Sequence, residues 1–355
     1  MAMVPVGVGG VLVGAVGALD PQRDASSAKP TAPAARSHHR ECRAILPRHC
    51  VIPAVAQMRA QLLESTINDN GTMKVCPACD ARFDSAWVCP RCGWQAQRHR
   101  TIQIVTSNGS VPGFASEFFD ALPTLEEGHF WFTARNALIG WAISRYFPQA
   151  RTFLEVGCGT GQVTGALKRT HSNLSFTASE AILEGLLIAE RKAPGVELVQ
   201  ADARRLPWDE EFDIVGAFDV LEHIADHAGA VREMTRSIRP GGGVIVTVPQ
   251  HRWLWSPLDE YSRHERRYTK GELVALLERS GLRVQRITSF VSLLLPMLLA
   301  SRLSQRGRPV HPDSEFRLSS RVNGVGDMAM RIERALIRAG VSFPLGGSLL
   351  AVARR

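Results

Sequence analysis

Four cysteines near residue 80 have the spacing of a metal site. Two Cys-x-x-Cys pairs are separated by nine residues. Four thiolates complete the tetrahedral shell that Zn²⁺ prefers, with no position left for a substrate. We therefore predict a structural zinc site whose ligands are Cys76, Cys79, Cys89 and Cys92. A redox Cys-x-x-Cys function is the weaker alternative, because two pairs in one short stretch indicate a shared metal.

The segment that carries these cysteines, residues 73–98, resembles a zinc ribbon, in which two knuckles flank a short hairpin. Paired Cys-x-x-Cys motifs are not a disulfide framework, and thiols used in this way are typical of a reducing compartment. We therefore expect a cytoplasmic protein. Peripheral contact with a membrane stays open as an addition to that expectation.

A glycine-rich loop follows a short apolar segment in the middle of the chain. Residues 153–156 are Phe-Leu-Glu-Val, and residues 157–161 are Gly-Cys-Gly-Thr-Gly. Such a loop between a strand and a helix lets the backbone approach a ligand beside the helix N-terminus. Dinucleotide-binding proteins need Gly-x-Gly-x-x-Gly. Both registers fail here, because Gln162 or Thr164 occupies the last position.

The segment from Glu155 to Gly161 resembles motif I of the class I S-adenosylmethionine-dependent methyltransferases. Four further motifs of that family follow in order: residues 176–180, 200–203, 212–223 and 239–243. One glycine loop alone is weak evidence, but five motifs at the expected separations are specific. The resemblance extends from about Phe130 to the C-terminus.

This resemblance implies a doubly wound α/β fold with a Rossmann-like, seven-stranded sheet, and S-adenosyl-L-methionine as the cofactor. It implies that Glu180 binds the ribose hydroxyls, that Asp202 holds the adenine amino group, and that Asp219 lies beside the transferred methyl. A carboxylate suits the ribose because it accepts two hydrogen bonds from a cis-diol. The predicted cofactor-binding residues are Glu155, Gly157, Gly159, Gly161, Glu180, Asp202, Ala203 and Asp219. Glu180 and Asp202 could alternatively only cap strand ends.

Histidines near the fourth motif are the candidates for a catalytic base, which is needed only if the acceptor must lose a proton. His223 is the first candidate and His264 the second, and His251 also lies nearby in sequence. A divalent cation is a further hypothesis, with Asp219, Glu222 and His223 as ligands, because carboxylate plus imidazole suits Mg²⁺, Mn²⁺ or Zn²⁺. Some O-methyltransferases with a similar Glu-x-x-Glu-His pattern use such a metal. Solvated histidines and ordinary scaffolding are the alternatives.

The fourth motif also narrows the range of possible methyl acceptors. Residues 219–222, Asp-Val-Leu-Glu, differ from the Asn/Asp-Pro-Pro-Tyr segment of enzymes that methylate exocyclic base nitrogens. Residues 220–223 instead resemble the ubiquinone-biosynthesis O-methyltransferases. We therefore predict O-methylation of a small apolar or lipid-linked metabolite, with Trp253 and Trp255 in an acceptor loop. An RNA methyltransferase with a zinc ribbon and a non-catalytic cofactor-binding module are the alternatives.

Strands and helices alternate from residue 152 onward, which predicts a parallel sheet covered on both faces. The predicted strands are Thr152–Val156, Leu174–Ala178, Val196–Gln200, Asp213–Phe218, Val244–Val248, Leu282–Phe290 and Ser348–Ala353. The predicted helices are Thr164–Arg169, Ala181–Lys192, Ala228–Ile238 and Thr269–Ser280, preceded by helical spacing from Ala115 to about Phe147.

The remaining segments set the expected domain organisation. Residues 1–72 lack periodicity and are expected to be a disordered leader, or not to be translated if Met73 is the start. Residues 99–114 carry turn signals and are expected to be a linker before a methyltransferase domain at 115–355. Phe290–Ala300 starts an apolar insertion around 290–308, predicted to be a buried helix over the active site, with a membrane-facing segment as the alternative.

The charge of the chain does not select a partner. The net charge is +8 and the sequence pI is about 9.4, but basic residues are spread along the chain. A concentrated basic stripe would favour nucleic acid, so a nucleic-acid partner is not expected. The sequence does not determine the oligomeric state, and it does not identify the acceptor.

Overall fold

A computed structural model describes residues 73–84, 86–106, 126, 128–304 and 318–355. These residues belong to one unit, Gln57–Arg355. The expected leader lies outside the described residues, as do residues 107–114 of the expected linker and the start of the helical segment at Ala115.

Twelve strands occur in the described part of the chain. They are β1 (Met73–Val75), β2 (Arg82–Phe83), β3 (Gln97–His99), β4 (Ile102–Ile104), β5 (Thr152–Val156), β6 (Ser175–Glu180), β7 (Glu197–Gln200), β8 (Trp208–Asp209), β9 (Phe212–Phe218), β10 (Ile238–Pro249), β11 (Arg283–Phe290) and β12 (Ser348–Arg354). Nine of them form the main sheet, in the order β11-β12-β10-β9-β5-β6-β7-β4-β3.

The strand order confirms the doubly wound, Rossmann-like sheet. The predicted number of seven strands is wrong, because the β3–β4 hairpin pairs with β7 and brings the described sheet to nine. Strands β5, β6, β7, β9 and β10 run parallel, whereas β12 is antiparallel to both of its neighbours. After β7 the chain returns to the other side of β5 and forms β9, so the strand order reverses between β5 and β9. In open α/β sheets, ligands bind outside the carboxyl ends of the strands at such a point.

Eight α-helices occur in the described part of the chain. They are α1 (Phe130–Tyr146), α2 (Gln162–Thr170), α3 (Leu183–Lys192), α4 (His227–Ser237), α5 (Pro257–Tyr261), α6 (Lys270–Arg279), α7 (Leu295–Ser304) and α8 (Ser320–Arg338). Short 3-10 turns cover Leu221–His223 and Arg252–Leu254.

Both faces of the sheet are buried, because the apolar side chains of each central strand alternate between two hydrophobic clusters. In β10, Ile245 packs into one cluster, and Val244 and Val246 pack into the other. Residues of α1, α2, α3 and α8 pack into the first cluster, and residues of α4 and α6 into the second. The continuous apolar runs seen in the sequence are thus the signature of strands buried on two faces.

The linker predicted for residues 99–114 is wrong at its start. β3 and β4 form an antiparallel hairpin there, and β4 extends the main sheet by pairing with β7. The hairpin turns at Arg100, whose φ is +54°, and Ile102 is fully buried in the core. Strands of three residues leave too short a pattern for a periodicity argument.

The apolar insertion begins at the last residue of β11 and continues through a turn into helix α7, but α7 is not the buried helix that the sequence predicts. None of its residues that the structure describes is fully buried, and Met297 is exposed over 42% of its surface. No described helix is both long and apolar enough to cross a membrane.

The cysteine segment is joined to the α/β part of the chain by strand pairing. β1 pairs with β2 on one side and with β8 on the other, so a strand from residues 208–209 completes the small antiparallel sheet. Trp87 packs edge-on against Trp208, with ring centroids 6.3 Å apart. No sequence pattern predicts this contact, because residues 87 and 208 are far apart along the chain.

Candidate functional site

The glycine loop lies at the carboxyl end of β5, where the strand order reverses. Gly157, Gly159 and Gly161 have φ of +71°, +53° and +75°, a region that side chains disfavour. Space is also limited, because a Cβ at Gly157 would stand 2.6 Å from Val220 Cγ2, and one at Gly161 would stand 2.8 Å from Ala189 Cβ. Glycine is therefore required both by conformation and by packing.

Glu180, at the end of β6, faces the same cavity as the loop. Its carboxylate accepts hydrogen bonds from the backbone N–H groups of Gly159 (3.0 Å) and Ala181 (2.8 Å). Burial raises its pKa, and these bonds oppose the shift. The same carboxylate thus fixes the glycine loop, beyond the ribose contact that the sequence predicts.

Asp202 follows β7 and lines the cavity together with Ala203. Arg204 donates to both of its oxygens, with Nη2 2.6 Å from Oδ2. Burial alone would raise the pKa of Asp202, but the hydrogen bonds and charge of Arg204 lower it below its usual value. Asp202 is therefore ionised and in a position to accept a hydrogen bond from a ligand.

Arg135 of α1 is a site residue that sequence reasoning missed. Its guanidinium Nη1 lies 2.6 Å from Asp219 Oδ2, and it stacks over Trp131 at 4.5 Å. Thr247 donates to the same Asp219 oxygen at 3.1 Å. A buried arginine in an otherwise apolar helical segment is the signal that could have identified it.

Glu155, at the end of β5, is almost fully buried on the cavity floor. Burial raises its pKa to about 7, against the hydrogen bond from Thr164 and the positive charge of Arg135. Arg135 therefore stabilises two acidic groups of the cavity floor, Glu155 through its charge and Asp219 through direct contact.

His223 and His264 are brought together, with ring centroids 4.6 Å apart. Burial, followed by the charge of His264, lowers the pKa of His223 to about 3. His223 is therefore a neutral imidazole at physiological pH. Burial thus distinguishes His223 from His264, two candidate bases that the sequence ranked only by position.

Asp259 of α5 holds His264 in place, and sequence reasoning did not identify it. His264 Nδ1 lies 2.8 Å from Asp259 Oδ1. Arg267 binds the two Asp259 oxygens at 2.7 and 2.9 Å. Burial would raise the pKa of Asp259, but hydrogen bonds from His264 and Arg267 hold it below its usual range. A carboxylate accepts from Nδ1–H, so it leaves Nε2 of a neutral His264 as an acceptor.

The predicted cation ligands Asp219, Glu222 and His223 do not form one group. Asp219 turns toward Arg135, with φ of +57°. His264 replaces it, since ligand atoms of Glu222, His223 and His264 all lie within 4.8 Å of one another. Glu222 is 1% exposed, and its Oε2 has no hydrogen-bond partner among the described residues. The predicted ligand set was wrong because residues 221–223 form a single 3-10 turn, which does not bring Asp219 to Glu222 and His223.

One cavity of about 870 Å³ connects these groups. Its floor carries the glycine loop, Glu180, Asp202 and the Arg135–Asp219 pair, and its wall carries Glu222, His223 and His264. Its rim is apolar and comes from α1, α7 and the start of α8: Phe130, Trp131, Leu294, Met297, Leu298 and Val322.

The two tryptophans of the predicted acceptor loop are not part of this lining. Neither Trp253 nor Trp255 is among the described residues that line the cavity, and Trp253 stacks on His251 instead, with centroids 4.8 Å apart. Trp131 of α1 supplies the indole surface that the loop was expected to supply. Aromatic content alone could not decide between them, because the side on which each indole lies is set by the tertiary fold.

The four predicted zinc ligands form a compact cluster. Cys76 Sγ lies 3.6 Å from Cys92 Sγ, and Cys79 Sγ lies 3.7 Å from Cys89 Sγ. All four sulfurs lie within 4.8 Å of one another. Tetrahedral zinc with Zn–S bonds of about 2.3 Å places its sulfurs about 3.8 Å apart. The arrangement fits that geometry, and none of these cysteines forms a disulfide.

Comparisons with known proteins concern the central part of the chain. A family profile described as "Methyltransferase domain" matches residues 154–246. Trans-aconitate 2-methyltransferase of Azoarcus sp. (strain BH72) is 30% identical over 128 residues, 36% of this chain and 48% of that protein. Ubiquinone biosynthesis O-methyltransferase of Hydrogenovibrio crunogenus is 30% identical over 103 residues, 27% of this chain and 42% of that protein. The chain thus spans about half the length of these curated relatives.

Among solved structures, phosphoethanolamine N-methyltransferase 2 of Haemonchus contortus is similar to the chain. It is 18% identical, with a TM-score of 0.41, and the match covers 61% of this chain and 52% of that one.

Proposed function

We propose that this chain, which contains a class I S-adenosylmethionine-dependent methyltransferase domain, transfers a methyl group to an oxygen of a small apolar or lipid-linked acceptor. The observation that carries the proposal is the single cavity, which joins the cofactor motifs, the His264–Asp259 pair and an apolar rim. One curated relative is named for methylation of trans-aconitate, and the other for O-methylation in ubiquinone biosynthesis. The apolar rim favours a hydrophobic acceptor over a polar one, because burying its surface is favourable.

The cofactor residues keep the roles that the motifs imply. Glu180 binds the ribose hydroxyls with the acceptor capacity left after its backbone contacts, and Asp202 accepts from the adenine amino group. Gly157 and Gly159 let the backbone approach the ligand, and Gly161 precedes α2 directly. The sulfonium carries its own leaving group, so the protein mainly aligns the acceptor oxygen with the methyl carbon.

His264 is the better candidate for the base. Asp259 accepts from its Nδ1–H and so fixes its tautomer, as in other carboxylate–histidine pairs. His223 is too strongly buried to gain a proton, because burial already lowers its pKa to about 3. We infer that His223 packs against His264 and orients it, and that His264 removes the acceptor proton.

A divalent cation at Glu222, His223 and His264 is a second hypothesis for the same wall. The unpartnered Oε2 of Glu222 favours it, and carboxylate plus imidazole is a suitable donor set for Mn²⁺ or Zn²⁺. Such an ion would supply Lewis-acid activation of the acceptor oxygen. Chelator treatment of the enzyme separates the two hypotheses.

We further propose that Cys76, Cys79, Cys89 and Cys92 hold one structural Zn²⁺. The sulfur distances and the absence of a fifth ligand among the described residues near the cluster support a closed site. Thiolates used in this way suit a reducing compartment such as the cytoplasm.

The test of the proposed function is product analysis. The purified chain is incubated with methyl-labelled S-adenosylmethionine and with lipid, small polar and RNA fractions of a cell extract. We expect label in the lipid fraction, bound to oxygen either as a base-stable methyl ether or as a base-labile methyl ester. His264→Gln should give much less label. Label confined to RNA would replace the proposal with an RNA methyltransferase. Cofactor binding without label in any fraction would indicate a non-catalytic module.

A further inference from the structure

Helix α8 exposes a stripe of apolar side chains along most of its length. Val325, Met328, Ile332 and Leu336 follow the helical spacing of three and four residues. They are exposed over 64%, 60%, 50% and 39% of their surfaces. Val322, exposed over 39%, continues the stripe toward the N-terminus. At about 1.5 Å per residue the stripe is ~21 Å long.

The opposite face of α8 is fixed to the domain, so the helix cannot roll to bury the stripe. Asn323 Oδ1 accepts from the Phe130 N–H at 2.9 Å, and Gly326 packs so closely on Phe130 that a Cβ there would stand 2.7 Å from the ring. Glu333 is fully buried and accepts from the backbone N–H groups of Ser292 and Leu293 at 2.7 and 2.8 Å.

Arginines flank the stripe on one side. Arg331 and Arg338 are exposed and lie on the same side of the helix, about two turns apart. Asp327 is the one exposed or half-exposed acid within α8, and it pairs with Arg331 at 2.8 Å. Apolar residues beside arginines are the pattern of a helix that lies in a membrane interface.

The stripe leads to the mouth of the candidate active site. Val322 belongs both to the stripe and to the cavity lining. Met297 and Arg302 of α7 also line the cavity, and Met297 is exposed over 42% of its surface. A surface that bound the stripe would therefore also lie against the rim of the cavity.

We propose that α8 docks this protein on an anionic lipid bilayer, with the apolar stripe in the headgroup region and its arginines against lipid phosphates. Charge favours a bilayer over a second copy of the chain, because a symmetric pairing of the stripe would bring two rows of arginines close together. Anionic lipids instead complement the arginines, each of which adds attraction near such a surface.

The proposal goes beyond the proposed function, and it can fail separately. A docked α8 would open the cavity toward the membrane, which suits a lipid-linked acceptor. Vesicle binding is measured without turnover, however, so loss of binding would leave methyl transfer to a small dissolved acceptor intact.

The experiment is co-sedimentation of the full chain with vesicles of phosphatidylcholine alone or mixed with phosphatidylglycerol. We expect binding only to the mixed vesicles, weakened by added salt. Ile332→Glu should weaken vesicle binding at least about tenfold. The substitution removes an isoleucine that the docked helix would bury in the bilayer, and it adds a negative charge that anionic lipids repel. Gln97→Glu is the matched control, since it adds the same charge at an exposed position of the edge strand β3, outside α8, and it should bind within about twofold of wild type.

Two charge variants test the arginine side. Arg338→Gln should weaken binding about fivefold, and Asp327→Asn should strengthen it, because it removes the acid beside Arg331. All variants should melt close to wild type, since the changed side chains are exposed or half-exposed. Equal binding by wild type and Ile332→Glu would overturn the proposal. The proposal would also fail if the wild type did not bind vesicles but formed a dimer in sedimentation velocity that Ile332→Glu dissociates.

Discussion

Asp259 Oδ1 lies 2.8 Å from His264 Nδ1, and the same carboxylate accepts hydrogen bonds from Nε and Nη2 of Arg267. The side chain of Asp259 is exposed over only 1% of its surface. A buried anion with one histidine and one arginine as partners fixes the tautomer of the histidine and keeps its second nitrogen available as an acceptor. This relationship, and not the position of a histidine in the fourth motif, selects the candidate base.

His264→Gln should lower kcat by about 10²–10⁴-fold, the usual contribution of general base catalysis. The dissociation constant of S-adenosylmethionine should stay close to wild type, because the base acts on the acceptor. Initial rates of label transfer and calorimetric titration of the cofactor measure the two quantities. His251→Gln is the control, since His251 does not line the described cavity. Wild-type turnover by His264→Gln would contradict the assignment.

Glu180→Gln should weaken S-adenosylmethionine binding by about 1.5–3 kcal/mol, the usual value for hydrogen bonds to a charged group. The amide would place N–H groups where the carboxylate accepts from the glycine loop, so the loop should also loosen. Isothermal titration calorimetry measures the affinity, and Glu184→Gln on the exposed part of α3 is the matched control. Unchanged affinity, or tight binding of NAD in place of S-adenosylmethionine, would count against this site.

Arg135→Gln should destabilise the fold by about 3–5 kcal/mol, because it leaves the Asp219 carboxylate without its ion-pair partner on the cavity floor. Adding Asp219→Asn should recover part of that loss, since the unpaired charge is then removed. Denaturant unfolding of the two single variants and the double variant gives the coupling energy. Strictly additive effects would show that the pair is not coupled, despite its 2.6 Å separation.

The raised pKa of Glu155 predicts that the stability of the fold depends on pH. Its folded pKa of about 7 lies above the ordinary value of 4.5, so between these limits the folded state binds more protons than the unfolded state. Its contribution to stability is therefore present below pH 4.5 and is lost as the pH rises through 7. The free energy of unfolding of Glu155→Gln, relative to wild type, should rise from pH 5 to about pH 8. A difference that does not change with pH would refute the shift.

Loss of zinc should affect more than the cysteine segment. Cys92→Ser should reduce bound zinc from about one equivalent per chain and should also lower the melting temperature of the whole domain. The reason is that β1 pairs with β8, and Trp87 packs into the same cluster as Trp208 and Phe212. Metal analysis and thermal unfolding test both effects. Cys158→Ser, outside the cluster, should keep its zinc, and a stable, metal-free wild-type protein would disprove the site.

Local patterns in the sequence determined the sheet and the cofactor motifs. The apolar or β-branched runs ending in Val156 and Val248 predicted strands because largely apolar segments are typical of strands buried on both faces of a parallel sheet. Glycines 157, 159 and 161 were identified because spacing and conformation are local properties. The cysteine spacing predicted the cluster for the same reason, since the two pairs lie within 17 residues of one another.

Only the tertiary structure decided which side chains meet in the cavity. Arg135 and Asp219 are 84 positions apart, and their contact depends on the packing of α1 over the carboxyl ends of the strands. Asp259 lies five positions before His264, but the turn after α5 brings their side chains together without any regular period. The strands β4 and β8 were missed for a related reason, because segments of two or three residues pair through distant partners and carry no pattern of their own.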